Sequence, residues 1–132
     1  MAAMISIEHI EEFTRQTLGC NCPTDAFDEI TTTDFMIGLL SCQRILISDR
    51  LLLLVLKAPG DFALLPDYAR LVRYGMEERD CNNLNRCRIV LIGDSDTRIA
   101  EEIKSSFALI ASGDSNLHLH WVSEFQLSFE SA

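Results

Sequence analysis

Positive charge is what this chain has least of. Eleven lysines and arginines stand against twenty aspartates and glutamates, a formal net charge of −9 with a pI near 4.6. So acidic a surface disfavours nucleic acid, anionic lipid and other polyanions as partners. Long hydrophobic runs are also missing. The longest, Leu51 to Leu56, falls far short of the ~20 residues that span a bilayer, so no membrane association is expected. Met1 to Ile10 has no basic segment ahead of an apolar stretch, so no secretory signal is expected. Repeats, low-complexity tracts and dividing linkers are absent, and residues 1–132 are expected to form one domain. With 48% hydrophobic and 23% charged residues, a chain of this length can bury a core without staples.

What the chain does have is five cysteines, an odd number, so at least one thiol has no partner within it. That usage fits a reducing, cytoplasmic compartment. The stretch Cys20-Asn21-Cys22-Pro23 holds two thiols between a helix expected to stop at Gly19 and another that Pro23 can start. Thiols at a helix N-terminus feel the positive end of the dipole, which favours thiolate. In a thiol-based redox module, Cys22 is then the more acidic thiol and Cys20 the resolving one. A disulfide between residues two apart is strained and easily reduced, which suits exchange rather than stapling. The plain alternative is that both pack as small hydrophobes.

Metal binding needs about four ligands around zinc, or four thiolates around an iron–sulfur cluster. Cys81 and Cys87 are the candidates to join Cys20 and Cys22. The Cys-x-Cys and Cys-x5-Cys spacings are not those of a zinc ribbon. Cys87 shares a strand face with Ile89 and Leu91 and is expected to look into the core, and Cys42 is expected to be packed.

Periodicity supplies the architecture. Ile7, Ile10, Phe13 and Leu18 recur at helical spacing, with Ser6 as N-cap and Gly19 past the end. A short helix is expected from Pro23 to Glu29, then a strand over Ile30 to Ile37 with its three threonines. Arg44 to Ile47 and Leu51 to Lys57 read as a hairpin about Ser48-Asp49-Arg50. Leu51 to Leu56 is apolar on both faces and belongs mid-sheet. A helix opened by Pro66 carries a stripe of Tyr68, Leu71, Val72, Gly75 and Met76. A strand over Cys87 to Ile92, a helix carrying Ile99, Ile103, Phe107 and Ile110, and a strand over Leu117 to Val122 follow. The fold expected is α/β, with α+β as alternative: a mixed sheet of about five strands, an antiparallel hairpin preceding a parallel βαβαβ unit.

Three further features carry polar chemistry. His118 and His120 leave one face of the last strand, a geometry in which imidazoles can hold a metal, but no third ligand lies nearby in sequence. Gly93-Asp94-Ser95 resembles the nucleophile block of the GDSL hydrolases, and haloacid-dehalogenase-like phosphatases carry a similar acidic turn. The later blocks of the first family and the Asp-x-Asp-x-Thr motif of the second are missing, so Ser95 or Asp96 is read as a helix N-cap. Arg70, Arg73, Arg79, Arg86 and Arg88 gather five of the eleven cations into a local basic stretch able to attract an anion or an acidic patch. Glu77 to Asp80 is expected to be a solvated helix end, with Arg73 paired to Glu77. Two functions from different classes follow. One is a thiol-based redox or metal-binding module at Cys20/Cys22. The other is a non-catalytic interaction or self-associating domain, whose alternating Phe125, Leu127 and Phe129 suit pairing with a protein partner or a second copy.

Overall fold

Six apolar residues in a row leave a strand without a polar face, so both of its faces have to be covered. In the computed structural model, which describes residues 5, 9–17, 27, 29–48, 50–93 and 96–122, that strand is the third of five in one mixed sheet, ordered as in the chain. The strands are β1 (Ile30–Ile37), β2 (Leu40–Ile47), β3 (Leu51–Lys57), β4 (Arg86–Ile92) and β5 (Leu117–Val122). β2 is antiparallel to β1 and β3, whereas β3, β4 and β5 run parallel. The expected α/β class, the order of hairpin and βαβαβ unit, and the central place of Leu51–Leu56 are all observed. β2 begins four residues earlier than its sequence suggests, which brings Cys42 into the sheet opposite Leu56.

The parallel strands are joined by α2 (Leu65–Cys81) and α3 (Thr97–Ile110), which bury Tyr68, Leu71, Val72, Ile99 and Ile103 against one sheet face. That face presents Leu52, Leu54, Leu56, Cys87, Ile89, Leu91 and Leu117. Gly75 lets α2 approach closely: a methyl there would stand 3.0 Å from Cys87 Sγ and 3.1 Å from Leu54 Cδ1. The opposite face, with Ile45, Ile47, Leu51, Leu53, Val55 and Val90, is covered by Ile5, Ile10, Phe13 and Phe27. Ile10 and Phe13 belong to a helical segment, α1 (Ile10–Glu12) running into a wider π-type turn over Phe13–Thr17. The described helical part covers residues 10–17, and residues 6–8, where the helix is expected to begin, lie outside the described residues. Within it the Thr14 hydroxyl donates to the Ile10 carbonyl at 2.7 Å, a back-bond that loosens the regular ladder. Ser6, Gly19, most of the helix expected over residues 23–29, and the alternating residues 125–129 lie outside the described residues.

Polar groups lock these layers together. The Gln43 side chain is 1% exposed. It accepts from the Ile5 N–H at 2.9 Å and donates to the Ile5 carbonyl at 2.7 Å, pinning the N-terminal segment to the sheet. The β1–β2 turn is Gly38-Leu39, where Gly38 has φ of 59° and a Cβ would collide with the Asp67 carboxylate. Asp67 in turn accepts from the Leu39 N–H at 3.0 Å, tying the turn to α2. Asp96 caps α3 by accepting from the Arg98 N–H at 2.8 Å, as its position suggested; Asp94 and Ser95 lie outside the described residues.

Candidate functional site

The thiols separate by environment. Cys42 and Cys87 are buried on the α2/α3 face, and burial pushes each thiol up to about 12. Such groups stay protonated at neutral pH and are poor nucleophiles or metal ligands. Cys87 looks into the core, as its spacing implied. Cys81, the last residue of α2, is exposed. Cys20 and Cys22 lie outside the described residues. Among the described residues, no group of three or more His, Cys, Asp or Glu is disposed to hold a metal.

The arginine stretch does not form one patch, because helix and strand periodicities send its members in different directions. Arg79, expected at a solvated helix end, is instead 8% exposed. Its Nη1 and Nη2 donate to the two Asp114 carboxylate oxygens at 2.7 and 2.6 Å, and Nη2 also donates to Asp80 at 3.0 Å. The guanidinium beside it holds the Asp114 carboxyl below its usual range, and Asp114 also accepts from the Asn116 N–H. The pair joins the end of α2 to the turn before β5. Arg70 lies 3.5 Å from Asp67, and Arg44 of β2 reaches Glu78 at 3.1 Å, so Glu78 rather than Glu77 is tied to an arginine.

Arg86 and Arg88 belong to the other face. Alternation along β4 puts both on the side bearing Val90, and β5 sets His118 and His120 on that same side. Arg88 sits in register with His118, and its Nη1 donates to His120 Nε2 at 2.8 Å. Accepting there leaves His120 neutral, with its proton on Nδ1. Burial first, then Arg88 and His118, bring His120 down to about 4. Burial, Arg88 and Arg86 lower His118 as well, opposed by Asp114. The expectation that the two imidazoles share a face holds, and Leu117, Leu119 and Trp121 pack on the opposite side. Sequence signalled the same-face histidines and a basic stretch separately; the adjacency of Arg88 to His118 follows from strand order, which no spacing reveals.

The turn after β4 is the usual place for phosphate in α/β proteins, and its first residue, Gly93, has both backbone groups engaged. Gly93, at φ 93°, donates its N–H to the Val122 carbonyl at 2.8 Å, and its own carbonyl accepts from Trp121 Nε1 at 2.6 Å. Comparison with protein-family models, curated proteins and solved structures finds no match to this chain. Among the described residues no helix is long and apolar enough to cross a membrane.

Proposed function

We propose that this chain is a non-catalytic interaction domain that takes an extended, cationic segment of a protein partner along the outer edge of β1. The observation that carries this reading is the edge itself. β1 has eight residues and, among the described residues, a neighbour on one side only. A free strand edge is a template for main-chain pairing. Thr31, Thr33, Asp34 and Met36 are exposed along it, Met36 at 62%, and Leu39 in the adjoining turn reaches 74%. Asp34 near the middle, on a protein of net charge −9, selects a basic strand and opposes a second acidic copy. Selection of binding peptides from a random library tests this. Basic, extended sequences should emerge, perturb β1 amides in NMR spectra, and lose affinity on Asp34→Lys. Peptides that leave β1 unperturbed would refute it.

A second reading rests on the sequence Gly19-Cys20-Asn21-Cys22-Pro23. Here the Cys22 thiolate attacks a partner disulfide, and Cys20 then attacks the mixed disulfide. The partner leaves as a dithiol, and the Cys20–Cys22 disulfide remains. An odd set of thiols suits the cytoplasm, where that disulfide would be reduced again. Alkylation of Cys22 with an apparent pKa near an unperturbed ~8.5 would remove this reading. Its metal-binding form, zinc or an iron–sulfur cluster on Cys20, Cys22, Cys81 and Cys87, requires the buried Cys87 to turn outward as thiolate. Metal analysis of protein purified anaerobically without chelator tests it.

A further inference from the structure

The sheet has two margins, and the strand at one of them carries no formal charge. β5 (Leu117–Val122) holds no Lys, Arg, Asp, Glu or Pro, on a chain of net charge −9. It pairs with β4 residue for residue, without a bulge. Charge, proline and bulges are the devices by which sheet edges avoid adding a further strand, and β5 has none of them. Its backbone is set for addition. The Cys87 N–H donates to the Asn116 carbonyl at 3.0 Å, and the Gly93 N–H to the Val122 carbonyl at 2.8 Å. Even-numbered residues of β5 therefore bond β4, and alternation turns the N–H and C=O of Leu117, Leu119 and Trp121 outward. Among the described residues nothing meets them there.

We propose that the outer edge of β5 pairs antiparallel with β5 of a second copy of this chain, making one continuous sheet across a twofold axis. Such an isologous contact needs a self-complementary register. Centred on Leu119, the pairing sets Leu119 against its own counterpart and Leu117 against Trp121. All are outward-facing positions, so each opposed pair exchanges both backbone bonds. The side chains brought together on the helix-bearing face are apolar, and in the single chain Leu119 and Trp121 are only half-buried there. Cross-strand apolar pairs of this kind stabilise an antiparallel ladder. Charge decides between the two margins. Each copy carries −9, and Asp34 on β1 adds to the repulsion between copies, whereas β5 adds none. A basic partner strand fits β1, and a second copy fits β5.

The test uses the full chain: sedimentation equilibrium over a range of concentrations, with hydrogen exchange read at single amides. A dimer is expected, in which the Leu117, Leu119 and Trp121 amides gain protection as concentration rises. The His118 and His120 amides, on the β4 side, should be protected throughout. Leu119→Lys brings like charges together at the axis and should weaken the dimer about tenfold or more. Should that variant fail to fold, the wild-type exchange pattern decides alone. A chain that stays monomeric at every concentration would overturn the proposal, as would a folded Leu119→Lys that dimerises as well as wild type. So would a dimer whose protection appears at β1 instead of β5. Outward amides already protected in the monomer would overturn it too, by assigning the edge to residues 123–132 of the same chain.

Discussion

Replacing Tyr68 by Phe removes a single oxygen from the centre of the packing between α2 and the sheet. The Tyr68 ring is completely buried, and its hydroxyl has no hydrogen-bond partner among the described residues. A buried polar group left unpaired costs about 1–3 kcal/mol, whereas the void left by one oxygen costs much less. Tyr68→Phe is therefore expected to stabilise the fold by about 1 kcal/mol. At ~2.1 cal/mol/K of unfolding entropy per residue, that gain raises the thermal midpoint by about 3–4 °C. The sign has a second consequence in alkali. Burial holds the Tyr68 hydroxyl above its ordinary 10.0. A folded pKa above the unfolded value contributes stability present below pH 10.0 and lost as pH rises toward the folded pKa. The wild-type chain should weaken above that pH more steeply than Tyr68→Phe. Urea denaturation at neutral and alkaline pH, followed by circular dichroism, reads both effects. A loss of 1 kcal/mol or more at neutral pH, as for a hydroxyl that is bonded, would refute the reasoning.

Three other perturbations bear on the polar locks and the thiols. Asp114→Asn leaves a nearly buried Arg79 with Asp80 alone and should cost about 2–4 kcal/mol in urea titrations. Because the Asp114 carboxyl is lowered in the fold, its contribution is present above the ordinary 3.8 and lost as pH falls below it, so the variant's stability should change less there. Gln43→Leu strands the N–H and carbonyl of Ile5, and should cost about 2–4 kcal/mol together with loss of hydrogen-exchange protection at that amide. Alkylation of the native chain at pH 7 should label Cys81 quickly and leave Cys42 and Cys87 unmodified until it unfolds. Equal labelling of all three would contradict their burial.

Those elements whose signal is local were legible. The unbroken apolar run of β3, the threonines of β1 and the alternation of β5 each declare a strand without reference to anything distant. Pro66 and Asp96 mark helix starts through backbone chemistry that acts within one turn. What escaped depends on partners far along the chain. Arg79 lies in a charged run that reads as solvated; only its approach to Asp114, 35 residues away, makes it a buried ion-pair member. Gln43 looks like a surface residue between Cys42 and Arg44, and becomes a core clamp because Ile5 crosses above it. Cys87 declares its core-facing position because its neighbours Ile89 and Leu91 share its face. The arginine stretch divided because α2 and β4 distribute side chains with periods of about 3.6 and 2.

Strand order also limits where this domain can bind. In open α/β sheets, crevices at the carboxyl ends of the strands arise where successive connections leave to opposite faces. Here β3–α2–β4 and β4–α3–β5 advance in one direction with both helices on one face, so the order contains no reversal to open such a crevice. At the end of β4 the Gly93 N–H and carbonyl are taken by Val122 and Trp121. On the proposed interaction reading, recognition falls to the margins of the sheet, whose characters differ. β1 exposes Asp34 and Met36, whereas the β4–β5 side carries Arg86, Arg88, His118 and His120. Two strands, β2 and β3, separate β1 from β4 and β5, so substitutions at the two margins should act independently. Asp34→Lys should abolish binding of a basic strand, and Arg86→Gln should leave that binding intact. Loss of basic-strand binding in Arg86→Gln would mean that the two margins form one site, which this sheet order does not allow.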